Sequence, residues 1–482
     1  MNLFGLPDPS EFTKKPKLAK NIKRGMQVPD AASLFFEEED LWDFEREKQA
    51  FIDHMDFLKN QSVYESTLYK KWRELRELDT TTHIVRTGMY ENLLWEPRDI
   101  YDRDMTLVDV MSIKPRVIVC DEGTEEFETW KYLRYMIHTF EFTSGIGRLM
   151  RFIIKDDHTG KVLGIASLAS DVVSLGVRDK YIGWDQTMKF DDRKLNHTAI
   201  ASTIVPTQPF GYNFLGGKLL ASMLLTKEVR DGWKEKFGDV LVGITTTSLY
   251  GAHSMYQRIP FWRELGKSAG RISLKPDAEY FAKWVNWLKL NRREEYERAM
   301  FPKQGFIFEG PHGDWEWSPD GKSYGEYTPT IRGLTRQEVV NKITVEGYSV
   351  HDDNRVYDPR TRDKHPPSGP KQQLMLSIYR ACGIVQSKYE HGFERGVYFA
   401  PIYTNTTEFL RGKISDGELA PSPKIADDTQ SVMDWWRDKA VRRYENLLEN
   451  DRIKPEHLYY RPMIKMRTWD EVREHYLDEV GR

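Results

Sequence analysis

Residues 201–271 read ASTIVPTQPFGYNFLGGKLLASMLLTKEVRDGWKEKFGDVLVGITTTSLYGAHSMYQRIPFWRELGKSAGR, and the reading of this stretch decides the fold. A β-branched run, Thr198 to Val205, leads into it and stops at Pro206. Phe210 to Gly217 form a glycine-bearing loop. A long amphipathic helix is predicted next, with Leu215, Leu219, Leu220, Met223, Leu224, Val229 and Trp233 on its apolar stripe. A second β-branched run, Val240 to Thr247, and a short helix carrying Tyr256 complete the unit. Strand, glycine loop, helix, strand is an α/β crossover. Its loop lies where a helix N-terminus presents free amides to an anion.

Working outward, RLMRFIIKDDHTGKVLGIASLAS (148–170) is two strands around a turn at Asp156 to Gly160, a β-hairpin. Thr124 to Phe142 is a predicted helix, capped by Thr124 and carrying Glu125 and Glu126 in its first turn. Arg116 to Cys120 reads as a buried strand. Residues 34–78 are helical in pattern, as are 278–300, the run KQQLMLSIYRACGIV (371–385), 431–450 and 468–480. Residues 302–330 and 351–370 read as long polar loops, with a helix and strand between them. The expected organisation is three parts: a mainly helical region with a basic arm (1–110), a core domain (111–300) and a C-terminal extension (301–482). The fold class is α+β, a mixed central sheet with helical extensions at both ends.

Composition narrows the function classes. The chain has 482 residues, 39% of them hydrophobic and 30% charged, which suits a globular protein. A net charge of −3 gives no global polyanion-binding signature, so nucleic-acid contact must come from local patches. One such patch is Lys14, Lys15, Lys17, Lys20, Lys23 and Arg24, which also reads as a solvated terminus. Two cysteines, Cys120 and Cys382, form no CxxC, so no metal site is expected. With no apolar h-region and no run of about 20 apolar residues, a cytoplasmic location without membrane contact is expected.

Three groups of residues can carry chemistry. Tyr212, Asn213, Gly216, Gly217 and Lys218 form the loop that would hold an anionic cofactor; close packing is the alternative use of its glycines. Ser248, Tyr250, His253 and Tyr256 follow the second strand and include a phenol able to act as a general acid. Arg178, Lys180, Trp184 and Asp185 interleave basic, aromatic and acidic side chains, as a flipped base would require. The alternative there is a loop whose aromatics anchor it to the core. Arg395, Tyr398 and Asn405 are further candidates for closing the site. His351, Asp352 and Asp353 make a poor cation cage, and His197 at a strand end reads as structural.

The order of hairpin, strand, glycine loop, helix, strand and short helix resembles the GNAT superfamily of N-acetyltransferases. In that family the strand before the loop splays from its neighbour and the loop amides hold the cofactor pyrophosphate. The family's A-x-x-x-Y then x-x-x-G-F pattern is matched at Ala252, Tyr256 and Phe261, with Pro260 in the glycine's place. The loop pattern [QR]-x-x-G-x-[GA] is met only in part by NFLGGK. The run Ser248 to Arg271, with WRELGKSAGR, is similar to the Druantia protein A family of phage-defence proteins and to phage Mom-like DNA-modification proteins. These resemblances imply Tyr256 as the acid that protonates the leaving group, and an acyl donor such as acetyl-CoA or another anionic donor. They also imply a base amine of DNA as acceptor. Two alternatives accompany this reading. One is a non-catalytic nucleic-acid-binding or virion-associated protein on the same scaffold, and the other an ordinary acetyl-CoA-dependent N-acetyltransferase. A homo-oligomer is compatible with each.

Overall fold

A computed structural model describes residues 42–79, 89–140, 142, 147–190, 192–248, 255–300, 306–308, 315–317, 349–350, 356–357, 370–422, 429–456 and 458–477. The chain divides into two compact units, 1–53 and 54–482. In the first, the described residues open the helix Phe44–Asn60, where Gln49 Nε2 donates to Asp53 at 2.7 Å.

The second unit is built on a seven-stranded sheet. Its members are β1 (Pro115–Val119), β2 (Leu149–Asp156), β3 (Val162–Ser170), β4 (Thr198–Pro206), β5 (Gly243–Thr247) and β6 (Arg263–Ser273). Two small hairpins follow, β7 (Phe306–Phe308) with β8 (Trp315–Trp317), and β9 (Ser349–Val350) with β10 (Val356–Tyr357). The sheet's last member is β11 (Glu390–Pro401). The order is β1-β2-β3-β4-β5-β11-β6. Every pairing is antiparallel except β4 with β5.

Local chemistry explains the hairpin. The Asp156 carboxylate accepts from Lys114 N at 2.7 Å, His158 N at 3.1 Å and Thr159 Oγ1 at 2.7 Å, which fixes the β2–β3 turn. The near-continuous apolar run of β3 is buried along most of its length, as a strand covered on both faces must be.

The predicted long helix after the glycine loop is two helices, Gly216–Met223 and Lys227–Phe237. Thr226 Oγ1 donates to Met223 O at 2.9 Å, a local side-chain bond that competes with continuing the ladder. The helix expected over 124–142 runs over Glu125–Ile137, with Thr124 accepting from Phe127 N at 3.2 Å. That expected over 278–300 is divided at Arg292. The tail helices are Thr429–Glu449 and Trp469–Leu477.

The expected boundary at 300 does not divide the sheet. β11 lies between β5 and β6, so the C-terminal part supplies a central strand. The core also takes Trp95 from one side of the chain and Trp436 and Tyr444 from the other. Trp95 meets Phe210 and Phe214 edge-on at 5.4 and 5.7 Å, and Phe214 stacks on Tyr444 at 5.3 Å. The glycine loop is therefore packed from both ends of this unit. Among the described residues no helix is long and apolar enough to cross a membrane.

Candidate functional site: the fork between β4 and β5

β4 and β5 pair over three residues only, Thr198 with Gly243, Ala199 with Ile244 and Ile200 with Thr245. Beyond that point each keeps its outer partner. β4 stays with β3 as far as Pro206, and β5 stays with β11 through Thr247. The two strands open into a fork. Its physical cause is in the β3–β4 register, where Ser167 pairs with Thr203 and Leu168 with Ala201. Ser202 is the extra residue of a β-bulge, and a bulge bends the strand that carries it. Ser202 Oγ lies 2.8 Å from Ser167 Oγ, which holds the bulge in place.

At the apex, Thr246 Oγ1 donates to Ala201 O at 3.1 Å, satisfying the first carbonyl that β5 no longer reaches. The Thr246 side chain also acts on the Tyr256 hydroxyl, against the larger effect of burial. The Tyr256 ring lies 5.3 Å from Tyr398 and 5.7 Å from Trp262, and the residue is 7% exposed. Burial pushes its phenol up to about 12, so it holds its proton at neutral pH and suits an acid rather than a base. Ser248 sits just beyond β5. Its N–H donates to Gly396 O and its Oγ accepts from Gly396 N, both at 2.8 Å. Tyr398, directly opposite Thr246 in the ladder, thus joins Ser248 and Tyr256 at one place. Tyr250 and His253 lie outside the described residues, as do His351, Asp352, Asp353 and the basic arm.

The glycine loop is nearby but differently used. Leu215, with φ +54°, leads into the helix Gly216–Met223 and gives it no side-chain cap. A Cβ at Gly216 would strike the Phe210 ring, and one at Gly217 would come 2.5 Å from Met255 Sδ. Both glycines thus serve close packing of internal side chains. Asn213 is fully buried. Its Nδ2 donates to Pro209 O at 3.0 Å and Lys454 O at 2.6 Å, and its Oδ1 accepts from Lys454 N at 3.1 Å. It clamps a C-terminal segment. Tyr212 N donates to Gln208 Oε1 at 3.0 Å, and its ring carries Arg443 at 5.0 Å and Lys454 at 5.2 Å from the centroid. Lys218 Nζ donates to Met255 O at 2.8 Å and to Gln257 O. Burial, then Lys439 and Arg258, lower its ammonium to about 8.

In the basic–aromatic insertion two of the candidate side chains are buried. Arg178 is 0% exposed and Trp184 9%. Arg178 Nη2 donates to Asp179 Oδ1 at 2.7 Å and to Val172 O at 2.7 Å. Its Nη1 lies 2.7 Å from Asp171, an ion pair whose angle falls outside hydrogen-bond geometry. Asp171 in turn accepts from Thr245 Oγ1 at 2.9 Å, tying the insertion to β5. Lys189 reaches Asp179 at 3.0 Å, and Trp184 Nε1 donates to Leu410 O at 2.8 Å. These two side chains hold the insertion down rather than grip a ligand, because two carboxylates in the insertion claim the cation. Lys180 and Asp185 are exposed, and Asp185 accepts from Met188 N at 2.8 Å.

His197 is structural, with Nδ1 2.9 Å from Val240 O and the ring edge-on to Phe409 at 4.8 Å. Asn405 braces a loop through Glu418 O and Ala420 N. Arg395 lies over Phe140 at 5.1 Å. Both cysteines are free and buried, and burial pushes the Cys120 thiol up to about 12. Among the described residues no three His, Cys, Asp or Glu side chains gather as metal ligands. Sequence reasoning passed over Ser202 and Thr246. The threonine run was visible, but the bulge that gives it a position was not.

Fold and site together define an α+β protein whose mixed sheet is forked at a buried tyrosine. Residues 69–289 match the family model described as Druantia protein DruA. The chain is 30% identical over 145 residues to Druantia protein DruA of Escherichia coli (strain UMEA 4076-1). That match covers 27% of this chain, and the chain spans 35% of that protein's length. It is to this family that the chain is similar; the matched range includes the hairpin, the fork, the glycine loop and Tyr256, while β11 lies beyond it. No solved structure matches the chain.

Proposed function

We propose that this chain is a group-transfer enzyme on a GNAT-like scaffold, with a Druantia-type role in phage defence and a base amine of DNA as acceptor, in the manner of Mom-like proteins. The observation that carries the reading is the β4–β5 fork with Tyr256 buried at its apex against Tyr398. Past residue 200 the β5-facing edge of β4 has no strand beside it among the described residues, and an extended amide-bearing ligand can pair with such an edge. A protonated phenol at the apex would then hold the proton that a leaving group needs. The Gly216–Met223 helix starts alongside without a side-chain cap. Met255 covers Gly217, but a thioether chain is flexible enough to swing aside for an anionic donor such as acetyl-CoA.

The test has two arms. Nucleoside mass spectrometry of DNA from cells expressing the chain is expected to find an added group, and Tyr256→Phe to abolish it. Calorimetry with acetyl-CoA tests the donor. Unmodified DNA in expressing cells, with the protein soluble and folded, would sink the transfer reading. A second reading, a binding protein without catalysis, is favoured by the burial of Tyr256 and the commitment of Ser248 to β11. It is the outcome in which DNA is bound and unchanged.

A further inference from the structure

The helix Thr429–Glu449 lies outside the matched residues and carries a stripe of aromatic and basic side chains. Trp435, Lys439 and Arg443 recur every four residues, so they share one face. Each meets the glycine-loop side of the core. Trp435 lies edge-on to Phe261 at 6.4 Å, and Lys439 lies 5.7 Å from the Trp435 ring. Arg443 lies over Tyr212, which also carries Lys454. Lys439 and Arg258 are the two cations that act on Lys218.

Five cations, Lys218, Arg258, Lys439, Arg443 and Lys454, therefore border one loop. None of them forms an ion pair with a carboxylate among the described residues. Arg443 Nε is buried without a hydrogen-bond partner there. Two like charges at i,i+4 destabilise a helix, and here the pair is backed by further cations instead of acids. Lys439 to Arg443 is about 6 Å along the axis and the whole stripe about 12 Å. That is long for a single phosphate and suited to successive phosphates of a strand, with tyrosine and tryptophan rings between the charges for bases or sugars.

We propose that the Trp435–Lys439–Arg443 stripe, with Arg258 and Lys454, binds the phosphodiester backbone of the nucleic acid and leads it towards the fork. The proposal rests on the nucleic-acid half of the proposed function and not on the transfer chemistry.

The test is fluorescence anisotropy of a labelled DNA oligonucleotide with the full chain over a range of salt. Lys439→Gln/Arg443→Gln is expected to weaken binding about ten-fold or more and to flatten the slope of log K against log salt by about two, one per lost phosphate contact. Lys454→Gln, at an exposed position, is expected to flatten it by about one, and thermal melts check that both variants fold. Arg442→Gln, a residue paired with Asp438 at 2.6 Å, keeps the wild-type slope. So does Tyr256→Phe, which separates this proposal from the transfer reading. An unchanged slope in both stripe variants overturns the proposal, as does absence of DNA binding by the wild type. Loss of affinity for coenzyme A with DNA binding intact also overturns it, since the stripe would then serve the donor.

Discussion

The insertion at 171–190 and the helix at 429–449 are both basic and aromatic in sequence, yet the structure uses them in opposite ways. In the insertion, Arg178 is folded inward onto Asp171 and Asp179, and Trp184 is anchored to Leu410 O. On the helix, Lys439 and Arg443 lie against aromatic rings with other cations nearby. The difference lies in the partners. A guanidinium with two carboxylates within reach of its own segment becomes a structural tie. One placed beside lysines keeps its charge available to an outside anion.

Several substitutions can break or sharpen that contrast. The largest effect is expected at Arg178. Arg178→Met leaves the fully buried Asp171 without its cation, and removing one member of such a pair costs about 3–5 kcal/mol. Urea denaturation should show the midpoint fall. A stable variant that has lost DNA affinity would reverse the comparison and restore Arg178 as a ligand-binding residue.

Trp436 comes next. Its Nε1 donates to Phe214 O at 3.0 Å and to Leu215 O at 3.3 Å, so it ties the tail helix to the glycine loop. Trp436→Phe keeps most of the ring but takes the indole donor from Phe214 O, while Leu215 O keeps its bond from Lys218 N at 2.9 Å, at about 1–3 kcal/mol. Stability measured by denaturation should drop by that amount. No change would mean that the helix is not anchored through this bond.

Lys218 gives a pH test. Burial holds its ammonium at about 8, below the unfolded value of roughly 10.4. Between those values the unfolded chain binds more protons, so this residue makes stability rise as pH climbs through 8 towards 10. Lys218→Met should flatten that rise in melting experiments. The side chain is half-exposed, so the amplitude is below about 1 kcal/mol. A steeper rise in the variant would contradict the assignment. The smallest effect belongs to Lys180→Gln, at an exposed position of the insertion. It should change stability by no more than about 0.5 kcal/mol and leave the salt dependence of DNA binding alone.

Much of the fold was legible in the sequence because it depends on local pattern. The hairpin at 149–170 follows from alternating apolar runs around Asp156 to Gly160, and the helix after Thr124 from a cap and an acidic first turn. The break at Thr226 was not legible, since the apolar stripe runs through it and only the hydroxyl's bond to Met223 interrupts the ladder. Nor was the sheet's sixth neighbour. β11 pairs with strands more than a hundred residues earlier, and no local signal assigns a strand such a partner. At the site, Tyr256 and the loop were visible as residues, but their separate duties were not. Asn213 became a clamp for Lys454, and Gly216 and Gly217 became packing contacts.

By itself, then, the sequence determined an α+β chain, its crossover from β4 through the glycine loop to β5, and the tyrosine beyond it. Those follow from periodicity, β-branched runs and turn residues, which act within a few positions of one another. Only the tertiary structure decided that a bulge at Ser202 opens the sheet, that Tyr256 meets Thr246 and Tyr398 there, and which basic residues are consumed internally. Each of these depends on which distant group stands opposite a side chain, and a carboxylate, a carbonyl or another cation in that place gives the same residue a different task.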